Sequence, residues 1–175
     1  SGCHLRAKVL YSGRQPSLTV TPLADRRGGA ATPLWRKDTV KLVTYDNGQG
    51  PRLGAITGDA IVDLAALGLP PTMRALIEAG PAVWRQAAAS ARSASGPAIP
   101  LASVRLLAPL PNPGKIIAIG LNYMDHCREQ KVKPPARPLI FAKFPTSIIG
   151  PGDTITWDPA VTKEVDYEVE LAVVI

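Results

Sequence analysis

From residue 40 onward, apolar and polar positions alternate in short runs separated by turn residues, a period of two that points to strands. Val40-Lys41-Leu42-Val43-Thr44-Tyr45 is the first such run, and Asp46-Asn47-Gly48-Gln49-Gly50 is a turn signal. Arg52-Leu53-Gly54-Ala55-Ile56 returns as a second strand. Ala60-Ile61-Val62-Asp63-Leu64 follows the turn Thr57-Gly58-Asp59 as a third. The spacing predicts a small antiparallel meander. Two helices come next. Thr72 can cap Met73–Ala79, Gly80 ends it, and Pro81 suits the first position of a helix around Ala82–Ala94. Ser93–Pro97 reads as a linker.

A second unit is predicted to begin at Val104-Arg105-Leu106-Leu107. Its strands are expected at Lys115–Ile119, Leu139–Phe144 and Asp153–Trp157, with a short polar helix over Asn122–Gln130 and a proline-rich connector over Val132–Pro138. The fold class read from these elements is mainly β, of the α+β kind. The expected division is a disordered basic leader over 1–38, a small domain over 39–103, and the beginning of a larger one over 104–175.

Glu164-Val165-Asp166-Tyr167-Glu168-Val169-Glu170-Leu171 alternates strictly, so in a strand its four acids share one face. Same-face neighbours lie about 6.5–7 Å apart. Two unit charges at that distance repel by roughly 2.4 kcal/mol at an effective dielectric near 20. Either the acids line the solvated face of an edge strand, or a divalent cation neutralises the inner pair, Glu168 and Glu170. An all-oxygen site of this kind suits Mg²⁺, Mn²⁺ or Ca²⁺ rather than zinc or copper. Leu171-Ala172-Val173-Val174-Ile175 is apolar at every position and is expected to run into a core. A strand buried on both faces needs neighbours, so the sequence reads as truncated at its carboxyl end.

His126 and Glu129 are three apart in the predicted polar helix and would share a face. A carboxylate beside an imidazole orients it and raises its basicity, as a general base for water requires. The same spacing also serves a surface ion pair. Lys143, set among Phe141, Ala142 and Phe144, either faces solvent or balances an anionic substrate. Cys3 and Cys127 form no disulfide framework, and reduced thiols in an intracellular compartment fit them best.

Composition changes this picture in one respect. The 20 Lys+Arg and 14 Asp+Glu give a net charge of +6, but residues 1–37 hold seven of the basic residues and only one acid, Asp25. Thirteen of each sign remain from residue 38 onward, so no basic face is left on the folded part and nucleic-acid binding is not expected. The basic leader has the composition of an organelle-targeting segment, an extension or a misassigned start. No stretch reaches the roughly 18 apolar residues needed to cross a bilayer, so no membrane partner is expected.

Four segments in order carry a resemblance. They are Gly120-Leu121-Asn122-Tyr123-x-Asp125-His126-x-x-Glu129, Pro138-Leu139-Ile140-Phe141-Ala142-Lys143-Phe144, Ser147-Ile148-Ile149-Gly150-Pro151, and the run from Val165 to Ile175. Together they resemble the fumarylacetoacetate hydrolase family. The resemblance implies a small amino-terminal domain before a mixed β-sandwich roll. It implies Mg²⁺ or Mn²⁺ held by Glu168 and Glu170, and a His126–Glu129 dyad on a lid-like segment over the metal. Asn122, Tyr123 and Lys143 become candidate substrate contacts. Members of the family act on small 2-oxo and β-diketo acids by C–C hydrolysis, decarboxylation or enol–keto tautomerisation, through metal chelation of adjacent oxygens.

Two departures qualify the resemblance. The family's next metal-binding aspartate is expected beyond residue 175, and Ile119 stands where the hydrolase that names the family has a further aspartate ligand. The second departure fits a broader subgroup with three carboxylate ligands. For these 175 residues alone the expectation is an incomplete metal site with little or no activity, and a homodimer once the protein is complete. The expected location is the cytoplasm, or the mitochondrial matrix if the leader is a transit peptide. The alternative is a noncatalytic remnant whose acidic strand is simply solvated.

Overall fold

A computed structural model describes residues 7–12, 15–20, 40–93, 98–165 and 170–175, with side chains placed from residue 40 onward. The predicted meander is present. Strands β3 (Val40–Asp46), β4 (Pro51–Thr57) and β5 (Ala60–Asp63) pair antiparallel, with Leu42 opposite Ala55 and Ala55 opposite Val62. Asp46 closes the first turn by accepting the Gly48 and Gly50 amides at 2.7 and 3.0 Å. Both glycines there adopt positive φ, as the turn requires.

More strands join this sheet than the sequence pattern predicts. β1 (Ala7–Ser12) and β2 (Gln15–Val20) form a hairpin, and β2 pairs β3 through Leu18–Leu42, Thr19–Lys41 and Val20–Val40. The expected disordered leader over 1–38 thus contains two strands, a correction to the sequence reading. β6 (Ala98–Pro100) extends the other edge from β5, and β7 (Arg105–Leu107) pairs the carboxyl-terminal half of β3. β10 (Ala172–Val174) pairs β1. Every pairing among the described strands is antiparallel.

Alternation along β3 gives the sheet two buried faces. Val40 and Leu42 join Leu53 and Ala55 beneath two helices, α1 (Met73–Ala79) and α2 (Pro81–Ser93), which contribute Met73, Leu76, Ala87 and Ala91. Val43, Tyr45 and Ile61 pack on the other face with Ile99, Leu101, Val104 and Leu106. Thr72 caps α1 by accepting the Ala75 amide at 3.2 Å, as its sequence position predicts.

The chain forms two compact units, Ser1–Leu110 with Ile149–Ile175, and Pro111–Ile148. The boundary expected at 103/104 moves because β7 completes the edge of β3, and the Thr44 hydroxyl donates to the Pro109 carbonyl at 2.7 Å. Arg105 then reaches forward to Asp153 at 2.8 Å, while Asp153 also accepts the Gly150 amide. These bonds hold the 150–153 turn in the first unit. Asp153–Trp157 is not a strand, contrary to expectation. In the second unit β8 (Ile116–Gly120) pairs β9 (Leu139–Lys143), with the short helix α3 (Met124–Glu129) between them.

Candidate active site

Five of the seven predicted site residues lie in the unit Pro111–Ile148. β8 ends at Gly120, Leu121 turns the chain, and Asn122 and Tyr123 lead into α3, which carries His126 and Glu129. The helix is narrower than the 122–130 span predicted. Tyr123 is its N-cap but offers no side-chain cap, while its carbonyl accepts the Cys127 amide at 3.2 Å. Asp125 in the first turn and Arg128 in the last complement the helix dipole and join at 2.7 Å. Cys127 points inward and is buried, whereas Asn122, Tyr123 and Glu129 are exposed.

The ring of His126 is half-buried, and its Nε2 lies 2.6 Å from the Gln130 side-chain nitrogen. The Gln130 side-chain amide, four residues on, thus hydrogen-bonds the ring of His126. No hydrogen bond joins His126 to Glu129 among the described residues. Gln130 is therefore the partner of His126, which the sequence reading did not single out. Its i,i+4 spacing from His126 was the available signal, and the carboxylate at i+3 drew attention away from it.

Lys143 ends β9 opposite Ile116 and is exposed. Glu170 is also exposed, and it belongs to the first unit. Glu168 lies outside the described residues, as does the centre of the predicted acidic strand. The described flanks differ from expectation: Glu164, Val165, Glu170 and Leu171 are not in a strand, and β10 occupies only Ala172–Val174. Nor is Leu171–Ile175 buried on both faces. Val174 packs against the core, while Leu171, Val173 and Ile175 are exposed. β10 pairs β1 and forms the edge of the sheet among the described strands.

Carboxylate oxygens are the donors that Mg²⁺, Mn²⁺ or Ca²⁺ takes. Among the described residues, however, no three His, Cys, Asp or Glu side chains gather as a metal site. Glu170 alone does not make one. The described residues therefore bring the candidate residues Asn122, Tyr123, His126, Glu129 and Lys143 into one unit but gather no cation cage.

A sequence profile described as the carboxyl-terminal domain of fumarylacetoacetate (FAA) hydrolase matches residues 115–175, the stretch holding all seven predicted residues. Human oxaloacetate tautomerase FAHD2A, mitochondrial, is 40% identical over 173 residues, covering 95% of this chain and 53% of that protein. The chain belongs to the fumarylacetoacetate hydrolase family. Rat oxaloacetate tautomerase Fahd2a, mitochondrial, is 48% identical over the same extent. The fumarylacetoacetate hydrolase domain-containing protein 2 homolog of Dictyostelium discoideum is 39% identical over 142 residues, covering 78% of this chain and 46% of that one. Within the family, the motifs fit the type these relatives represent. The chain spans about half the length of the curated relatives it matches. Among solved structures, a Mycobacterium smegmatis protein assigned as HpcE superposes with a TM-score of 0.54. It is 32% identical and covers 67% of this chain and 40% of that one.

Proposed function

We propose that the chain carries the proton-transfer part of a divalent-cation-dependent enzyme that interconverts the keto and enol forms of a small 2-oxo dicarboxylic acid such as oxaloacetate. The observation that carries this reading is the gathering of Asn122, Tyr123, His126, Glu129 and Lys143 in one small unit, on β8, α3 and β9. The names of the family relatives, oxaloacetate tautomerases, favour tautomerisation over C–C hydrolysis of acylpyruvates.

Tautomerisation moves one proton from the carbon beside the ketone to the ketone oxygen, and needs no co-reactant. Glu129, an exposed carboxylate, can take the carbon-bound proton. His126 can deliver a proton to the oxygen, and exchange with water then removes the proton from Glu129 and returns one to His126. The reverse transfers run the reaction the other way. Lys143 supplies a positive charge for a substrate carboxylate, and Asn122 and Tyr123 supply exposed polar groups. Glu168 and Glu170 are the proposed cation ligands. A bound Mg²⁺ or Mn²⁺ would stabilise negative charge on the adjacent oxygens. The complete protein is proposed to act as a homodimer in mitochondria, the location named for its relatives.

The test is the loss of enol absorbance of oxaloacetate, followed with Mg²⁺ or Mn²⁺ and with EDTA, on the product of the whole coding sequence. We expect cation-dependent acceleration that E168Q with E170Q removes and that H126N lowers by about 10²–10⁴. No acceleration, or an EDTA-resistant rate indifferent to H126N, would sink the reading. The exposure of Glu170 favours a second reading, a noncatalytic chain with a solvated acidic segment. That reading predicts a cooperative melt unmoved by divalent cations.

A further inference from the structure

Among the described residues, two without a glycine's freedom hold a positive φ: Leu121 at 49° and Lys131 at 55°. They stand on either side of α3, the helix that carries His126. A left-handed backbone is disfavoured for an L-residue with a side chain, by about tenfold or ~1.4 kcal/mol. Neither residue has the short polar side chain that eases this conformation for Asn and Asp. Such outliers persist where the surrounding structure imposes them.

The local bonds show what each outlier does. At the entry, the left-handed Leu121 turns its carbonyl toward the incoming helix, where it accepts from the buried Cys127 thiol at 3.6 Å. At the exit, Lys131 occupies the position after the helix that glycine usually fills. Its amide donates to the Arg128 carbonyl at 3.1 Å, and the Val132 amide donates to the Cys127 carbonyl at 2.9 Å, the paired bonds of a Schellman motif. Both brackets close on Cys127, the one buried residue of α3, which is adjacent in sequence to His126. A helix of six residues with no side-chain cap at its N-terminus has little stability of its own.

We infer that Leu121 and Lys131 are positioning residues: their left-handed backbones clamp α3 from both ends through Cys127 and so hold the His126 ring against Gln130. The inference rests on the proposed role of His126. Its test uses two readouts that require no activity, so the two ideas can fail separately.

One readout is alkylation of Cys127 in the native chain, measured by mass spectrometry of the peptide containing it. The other is the ¹⁵N NMR signature of the His126 tautomer. If the backbone conformation is what matters, glycine should replace either residue without loss, whereas β-branched valine, closer in bulk, should not. We expect L121G and K131G to keep Cys127 reactivity within about twofold of wild type and the wild-type His126 signature. We expect L121V and K131V to alkylate about tenfold faster and to shift the His126 signature, in step with the cost of the conformation. The inference is overturned if the valine variants match wild type, or if the glycine variants fail as the valine ones do. It is overturned too if Cys127 opens while the His126 signature stays unchanged, since the clamp would then be structural only. Intrinsic fluorescence of Trp35, Trp84 and Trp157, all in the first unit, checks that the rest of the chain remains folded in each variant.

Discussion

Asp63 is the residue at which burial and charge meet in the first unit. Its Oδ2 accepts from Arg52 Nε at 2.8 Å and from Arg52 Nη2 at 2.6 Å, and its Oδ1 accepts the Ala65 amide at 2.8 Å. Burial by itself raises its carboxyl pKa, but the Arg52 bond and the backbone donors outweigh it and hold the group below its ordinary value. The Tyr45 hydroxyl, fully buried, lies close enough to this pair to feel its charges but outside hydrogen-bond geometry among the described residues. Burial foremost, then Asp63, raises the Tyr45 pKa. A depressed carboxyl pKa stabilises the fold above its unfolded value, near 3.9, and that contribution is lost as pH falls through the lower folded value. Replacing Asp63 with Asn should cost about 1.5–3 kcal/mol at pH 7. Urea melts of the two proteins should converge as pH drops below about 4. A gap that stays constant to pH 2 would contradict the argument. The alternation in the sequence was enough to place Asp63 on its strand. Its bond to Arg52 depends on the register of β4 with β5, which sets Gly54 opposite Asp63.

At the scale of elements, β4 shows how one small residue lets two neighbours pack. A Cβ on Gly54 would run into the Ile61 side chain on one flanking strand and come within 3.0 Å of the Tyr45 ring on the other. Both neighbours are fully buried, so neither can give way cheaply. G54A should therefore destabilise the first unit by about 1–3 kcal/mol, despite the better strand propensity of alanine. A chemical-denaturation midpoint equal to wild type would refute this. The meander and both helices were legible because period, turn residues and caps all agreed. Of the strand expected over 164–175, the described residues form one only at Ala172–Val174, since an alternating run looks like a strand whether or not a partner pairs with it. β6 and β7, each three residues long, are too short to show a period and exist through their pairing with β5 and β3.

Across the whole molecule, large apolar side chains are distributed unevenly. Residues 40–110 bury theirs on both faces of the sheet, whereas β8, β9 and the residues after them expose Ile117, Ile140 at 68%, Phe141 and Phe144 at 81%, and Ile155, Trp157 and Val161 are exposed as well. Surface of this kind binds apolar dyes and promotes association. The 175-residue chain should enhance ANS fluorescence and elute above its monomer mass, and a double I140K/F144K variant should reverse both. Equal ANS signal from the two proteins would refute the prediction. Whether the candidate site is complete is also decided at this scale. Glu170 belongs to one unit and His126 to the other, and residues so far apart in sequence share no local pattern.

By itself, the sequence determined the family, the β-rich character and five candidate residues that fall in one unit, because motif spacing and strand period are local properties. Only the tertiary structure decided that part of the basic leader is sheet, that β7 belongs to the first unit, and that His126 rests on Gln130. Each of those depends on which backbone edge or side chain meets which, and hydrogen bonds across such contacts leave no period in the chain that forms them.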